Sequence, residues 1–366
     1  IGRHKELLEV VDRLKDADCR LLTVIGPGGV GKTHLAVEAA SRAGDAFSDG
    51  VIFVDLQAVS ADDFATALAE DLPLTLSASE EPGAQLIRYL EDKHLLLLLD
   101  NFEHLLEEAD YLSELLSRTS SLKVIVTSRE ALNLQNEWIY PLHGLAVPPQ
   151  TPERQITDYG AGQLFVEQAQ RLNPNFSLEK EGEAAGRICR LVEGLPLALN
   201  LAASWTRTID CSEIADEIQQ NLQFLARPLR DIPHRHRSIQ ATFNQTWKLL
   251  GDEERRVFRQ LSLLKGGFHR QAAEEISGAN LAILSTLVDK SMLRREERYH
   301  IHELLRQFGE EKLQAAPGEA RAVCQRYVNY YAGFLHERLE AINGPSQRDF
   351  DIEEYGYELM NTGEEF

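Results

Sequence analysis

The sequence predicts a doubly wound α/β domain, a parallel sheet with helices on both faces, followed by an all-helical domain and a winged-helix domain. Three observations carry this. Five short apolar runs alternate with amphipathic stretches across residues 1–150. A Pro-punctuated segment, Pro141 to Pro152, ends that alternation, and helical periodicity follows it. A charged turn between apolar ends then interrupts the helices at Met292 to Ile301. At 366 residues, with about 150 residues to a domain, two or three domains are expected. The boundaries read as 1–150, 151–226 and 227–313, with a helical and acid-rich tail at 314–366.

The apolar runs are Leu21–Ile25, Val51–Val54, Leu95–Leu99, Val124–Val126 and the weaker Trp138–Tyr140. Continuous rather than alternating apolar residues fit strands buried on both faces of a parallel sheet. Between them, Glu103 to Leu116 reads as a helix, because Leu105, Leu106, Ala109, Leu112, Leu115 and Leu116 recur at steps of three and four. Beyond Pro148-Pro149 and Pro152, helices are expected over Thr157–Arg171, Glu181–Leu191, Leu195–Thr208 and Cys211–Leu225. Arg227 to Arg237 is locally basic and broken by Pro228 and Pro233, a second boundary. Ser238 to Leu313 reads as three or four helices with one hairpin, hence a winged helix. Glu340 to Phe366 is acid-rich and receives no structure.

Composition excludes several classes. Hydrophobic residues make up 43% and charged residues 26%, which suits a soluble globular chain. The net charge of −20 argues against wholesale binding to nucleic acid or anionic membranes. No apolar run approaches the roughly 20 residues a bilayer requires, so no membrane contact is expected. Cysteines at 19, 189, 211 and 324 form no C-x-x-C pair, which fits a reducing cytoplasm and small core residues. No signal peptide is visible, and an opening at Ile1 suggests an excerpt from a longer protein.

The strongest chemical signal is Gly26-Pro-Gly-Gly-Val-Gly31-Lys32-Thr33, a complete G-x-x-x-x-G-K-S/T between an expected strand and an expected helix. Glycines let the backbone turn N–H groups inward, and the helix N-terminus adds its dipole, so the loop suits phosphate. Lys32 would reach the β- and γ-phosphates, and the Thr33 hydroxyl would ligate Mg2+. The bland reading is a Gly-rich turn without ligand. Asp100, after five leucines, would supply the metal's carboxylate at a strand's carboxyl end; alternatively it caps the following helix at Glu103. Asn101 stands where many ATPases place a second acid, so hydrolysis is expected to be slow, with Glu103 as a substitute. Arg129, after the run ending at Thr127-Ser128, is placed to sense a γ-phosphate, although exposed arginines after strands are common.

With these residues in place, the chain resembles the STAND NTPases, specifically the NB-ARC type of bacterial AfsR/LuxR-like regulators, plant resistance proteins and the apoptosome ATPase. The resemblance covers roughly residues 1–315. Its pieces stand in family order: Ile1-Gly-Arg3, the P-loop, Asp100-Asn-Phe-Glu-His104, Thr127-Ser-Arg129, Gly194-Leu-Pro-Leu-Ala198, Leu287-Val-Asp-Lys-Ser291 and Ile301-His302-Glu303 through Arg306. It implies ATP or ADP with Mg2+. Ile1, Gly2 and Arg3 would lie along base and ribose. Gly28, Gly29, Val30, Gly31, Lys32, Thr33 and His34 would hold the phosphates. Arg129 would read the γ-phosphate, and Pro196, with Leu197, would pack on adenine. His302 would touch the β-phosphate of ADP. The family's Met-His-Asp is Ile-His-Glu here, so only the histidine carries over. By their residues alone, Pro196 reads as a first-turn helix proline and His302 as a helix cap.

The function implied is a signal-transduction switch with weak ATPase activity. An ADP-bound closed monomer would open on a signal, take ATP and form a homo-oligomer that activates effector or transcriptional output. Effector and sensor domains would lie outside this sequence. Two alternatives stand beside it. A DNA-binding regulator would read DNA through Asn280–Lys290, but that helix carries only Asp289 and Lys290 as charges, and the wing Arg294–Arg298 sums to +1. An AAA-type turnover ATPase would want an acid at Asn101 and an evident substrate pocket.

Overall fold

The computed structural model describes residues 1–77, 79–150, 155–226 and 238–342, with side chains through Phe334. The basic linker at Arg227–Arg237, Pro152 and the acid-rich segment beyond Ile342 lie outside the described residues. Two compact units result. One takes the described residues within Ile1–Val147, Pro152–Leu164 and Gly194–Leu197; the other takes the described residues within Pro148–Thr151, Phe165–Glu193 and Ala198–Phe366.

The first unit runs α1 (His4–Lys15), β1 (Leu21–Ile25), α2 (Lys32–Ala43), β2 (Val51–Asp55), α3 (Phe64–Glu70), α4 (Pro82–Leu90), β3 (Leu96–Asp100), α5 (Ala109–Arg118), β4 (Lys123–Ser128) and β5 (Glu137–Pro141). Its five strands form one sheet in the order β2-β3-β4-β1-β5, every neighbouring pair parallel. Side chains alternate across a strand, so each central strand must be apolar on both faces. Leu97, Leu99, Val124 and Val126 pack against Phe64, Leu68, Leu86, Leu112 and Leu115 from α3, α4 and α5. The intervening Leu98 and Ile125 are equally buried on the opposite face, and α2 contacts β1, β2, β3 and β4. The buried side of α2 is mostly alanine, at 36, 39, 40 and 43, and small side chains let a helix lie close to a sheet. With β4 between β1 and β3, the residues following all three strands emerge along one edge of the sheet.

One expected helix differs. Residues 102–104 and 106–108 are 3-10 turns, and α5 begins only at Ala109. Phe102 and Leu105 are both buried, 0% and 1% exposed. Their three-residue spacing matches three residues per turn, and the periodicity passes to α-helical spacing only after Ala109.

The second unit is helical: most of α6 (Gly160–Leu172), α7 (Leu178–Leu191), most of α8 (Pro196–Ala203), α9 (Cys211–Gln220), α10 (Ile239–Leu249), α11 (Asp252–Leu261), α12 (Arg270–Ser277), α13 (Leu281–Asp289), α14 (Glu303–Gln314) and α15 (Pro317–Ile342). Two expected helices end early. After Ala203 the Ser204 and Thr206 hydroxyls bond back to the Leu201 and Ala203 carbonyls, and the chain tightens into a 3-10 turn. After Gln220, Asn221 is extended and its side chain caps a second such turn. Between Ser238 and Gln314 there are five helices where three or four were expected. The break before α11 is hidden in the sequence because it is short: the Gly251 N–H donates to Glu254 Oε2 at 2.8 Å and starts the helix at once.

A two-stranded antiparallel ribbon, β6 (Arg294–Arg295) with β7 (Tyr299–His300), separates α13 from α14. Phe268 adds to it by exchanging both backbone hydrogen bonds with Tyr299, each 2.9 Å. α11 is the packing centre, touching α12, α13 and α14, and Trp247, Phe258 and Phe308 pack edge to face around it. An Arg259–Glu319 ion pair at 2.6 Å ties α11 to α15. Cys19, Cys189 and Cys211 are buried and Cys324 is exposed. Among the described residues no helix is long and apolar enough to cross a membrane.

Candidate functional site

The loop after β1 is shaped by its glycines. Gly29 has φ of 82°, and a Cβ there would stand 2.7 Å from Leu197 Cβ, so the position requires glycine on both counts. Gly31, the residue before α2, has φ of 98° with open space around it, so its demand is backbone alone. Gly28 lies in the turn between Pro27 and Gly29, and Val30 is buried. Among the described residues, nothing accepts a hydrogen bond from the backbone N–H groups of Gly29, Gly31, Lys32 or Thr33. A helix leaves its first N–H groups without internal partners. Here the glycine turns extend that set into a concave row of donors.

Lys32 turns its ammonium back over the loop, donating to the Gly26 carbonyl at 2.7 Å and the Pro27 carbonyl at 3.3 Å. Burial lowers its pKa to about 8, with the Glu103 and Asp100 carboxylates pulling upward and Arg129 pulling downward. A buried cation held mainly by neutral carbonyls is stabilised further by an anion.

The Thr33 hydroxyl donates to Asp100 Oδ1 at 2.8 Å. The Thr127 hydroxyl donates to the same oxygen, and Asn101 Nδ2 donates to Oδ2 at 3.0 Å. Asp100 does not cap the following turn; its oxygens face hydroxyls and an amide. Burial pushes the Asp100 pKa up, the Thr127 and Thr33 hydrogen bonds hold it down, and Asp55 adds to the rise. Glu103 and Arg129, expected as separate functional groups, are paired: Arg129 Nε lies 2.8 Å from Glu103 Oε1, with side chains 8% and 14% exposed. The second Glu103 oxygen is buried without a hydrogen-bond partner among the described residues.

The N-terminal residues reach the same loop. Arg3 donates to the Val30 carbonyl at 3.2 Å, to the His143 carbonyl, and to Glu6 Oε1 at 2.7 Å. Gly2, with φ of 66°, lies against Gly160, where a Cβ would approach to 2.6 Å. Ile1 is half-exposed, and His34 points outward from the first turn of α2. Pro196 is the first residue of α8, and the Leu197 N–H donates to the Gly29 carbonyl at 3.2 Å. Ile1–Arg3, the loop, Asp100, Glu103, Arg129, Pro196 and Leu197 thus share one unit.

His302 belongs to the other unit, as the residue before α14. Its Nδ1 accepts from the Leu304 N–H at 3.2 Å, so Nε2 carries the proton. That Nε2 is buried and has no hydrogen-bond partner among the described residues.

Three contributors were given no role of their own in the sequence analysis. Thr127 and Asp55 each end an apolar run with a polar residue, the pattern that drew attention to Asp100. Glu193, at φ of 44°, accepts from the Glu303 N–H at 2.6 Å and so caps α14 beside His302; no local pattern marks it.

The residues fit a nucleoside di- or triphosphate with a divalent cation. Unpaired N–H donors and the Lys32 ammonium suit phosphate oxygens, while the Thr33 hydroxyl and Asp100 carboxylate are hard oxygen donors of the kind Mg2+ takes. Such a cation would offset charge on the phosphates.

A family model for an AAA domain matches residues 15–134. A Mycobacterium tuberculosis protein named as a putative HTH-type transcriptional regulator is 32% identical over 91% of this chain and 37% of its own length. An uncharacterised protein of the same organism is 30% identical over 89% of this chain and 84% of its own length. The regulatory protein AfsR of Streptomyces coelicolor is 28% identical over 89% of this chain and 33% of its own length. The chain belongs to one family with this uncharacterised mycobacterial protein, and over most of its length it is similar to AfsR-like regulators. It spans only about a third of the length of the named regulators. Among solved structures, a STAND protein with a tetratricopeptide repeat sensor from Pyrococcus horikoshii aligns over 91% of this chain and 45% of its own, with 19% identity and a TM-score of 0.37.

Proposed function

We propose that this chain is the nucleotide-dependent switch core of a signalling protein, with ADP holding a closed monomer and ATP favouring an open, self-associating form. The observation that carries the reading is the row of unpaired N–H donors around the buried Lys32 ammonium, beside the Thr33–Asp100 pair. In this reading residues 1–150 bind the nucleotide, 151–226 cover it, and 227–313 form a winged helix that reports its state. The partners are further copies of the chain and effector or sensor segments elsewhere in the full protein.

The chain's own groups have distinct tasks. The loop N–H groups and Lys32 hold the phosphates, and Thr33 with Asp100 holds Mg2+. Arg129, displaced from Glu103 by a third phosphate, favours ATP; His302, through its protonated Nε2, favours ADP. A ligand shifts such an equilibrium only by its differential affinity for the two forms. Hydrolysis, slow because Asn101 is no base, resets the switch. Light scattering on the purified chain tests this: a monomer with ADP and a larger assembly with ATP are expected. Equal mass in both nucleotides refutes the switch.

DNA binding by the helical unit receives no support from α13, whose Leu281 is 53% exposed and whose Leu284 and Leu287 are buried. An exposed leucine is a poor substitute for a base-reading side chain.

A further inference from the structure

Asn101 occupies a strained position for a reason that loss of a catalytic acid does not explain. Its φ is 65°, in the left-handed region, which asparagine tolerates better than most residues. From there its amide donates to Asp100 Oδ2 at 3.0 Å and to Asp55 Oδ1 at 3.3 Å, while its backbone N–H donates to Thr127 Oγ1 at 3.1 Å. Asp55 ends β2 directly in register with Asp100 at the end of β3. Two carboxylates on adjacent strands repel, and like charges directly opposite destabilise a sheet. A neutral group with two N–H donors between them removes the conflict. The two oxygens of Asp100 are thereby made unequal: Oδ1 takes the Thr33 and Thr127 hydroxyls, and Oδ2 takes the amide.

We infer that Asn101 is a positioning residue for the divalent cation: clamped between Asp55 and Asp100, its amide pins Oδ2 and keeps Oδ1 on the Thr33 side. The inference rests on the nucleotide-site reading above. It reverses the usual expectation for this position. An acid at 101 would bring no donor and would set a third carboxylate beside Asp55 and Asp100, so it would weaken cation retention rather than improve the site.

The test uses the full chain, with Mn2+ as the probe and ADP as the nucleotide. Retained Mn2+ is read by electron paramagnetic resonance, and ADP affinity is measured separately in EDTA. Asn101→Asp should weaken Mn2+ retention about tenfold or more, as expected for losing a hydrogen bond to a charged group, with ADP affinity in EDTA little changed. Asn101→Gly keeps the left-handed backbone and should show a smaller loss. The swap Asp55→Asn with Asn101→Asp returns a donor to the pair and should recover most of the retention, a rescue that a purely structural role would not give. Wild-type retention in Asn101→Asp overturns the inference, as does a swap that recovers nothing. A wild-type chain that binds no ADP in EDTA or with Mn2+ overturns the nucleotide-site reading itself.

Discussion

Lys32→Met keeps the apolar stem, removes the charge, and should move free-state stability and ligand response in opposite directions. Burial lowers the ammonium pKa from 10.5 to about 8. At about 1.4 kcal/mol for each tenfold change in proton affinity, the cost of holding the charge is at most about 3.5 kcal/mol. The residue is only partly buried, and its hydrogen bonds to Gly26 and Pro27 disappear with it. Both reduce the net gain to about 1 kcal/mol, or about 2–4 °C in Tm. The pH dependence follows from the sign. A lysine with a lowered folded pKa penalises folding below that pKa, and the penalty fades as pH rises from about 8 to 10.5. The wild type should therefore close its deficit over that interval. With ADP at about a thousand times its dissociation constant, the wild type should gain about 4 kcal/mol and the variant almost nothing. Scanning fluorimetry with and without ADP and Mg2+ reads both effects. A variant that melts well below the wild type without ligand, or that ADP stabilises equally, refutes the reasoning.

Other consequences are open to measurement. Thr127→Val removes a hydroxyl that is 1% exposed and bonded to Asp100, so stability in urea should fall by about 2 kcal/mol; a loss under about 0.5 kcal/mol contradicts the assigned network. Glu103→Gln should slow single-turnover hydrolysis about a hundredfold if its carboxylate activates water, with affinity for ATP retained; an unchanged rate leaves Glu103 with the Arg129 ion pair alone. His302→Asn keeps a good helix cap while removing the Nε2 donor, so it should release ADP faster at unchanged Tm. Equal ADP release would remove His302 from the phosphate contacts.

Much of the sheet unit is legible in sequence because burial on both faces leaves a local trace. Leu96–Leu99 and Val124–Val126 have nowhere to hide a polar residue, so their runs announce strands. The loop from Gly26 to Thr33 is legible for a related reason: its glycines at 29 and 31 answer backbone demands that few other residues meet. What escaped depends on pairing between distant segments. The Asp55–Asn101–Asp100 bridge exists because β2 and β3 align Asp55 with Asp100, a register no local window contains. The Glu103–Arg129 pair likewise needs β3 and β4 to be neighbours. Glu193 reaches α14 across 110 positions of sequence. The late start of α5 and the extra break before α11 were missed for the opposite reason, since 3-10 turns and two-residue gaps barely disturb a helical pattern.

The most direct test of the central claim is the nucleotide that accompanies the purified chain, released by denaturation and identified by chromatography. Near-stoichiometric ADP is the predicted result, and it fits a resting state that keeps its ligand through purification. A chain that emerges without nucleotide, and that takes up neither ADP nor ATP when each is added with Mg2+, would contradict the account.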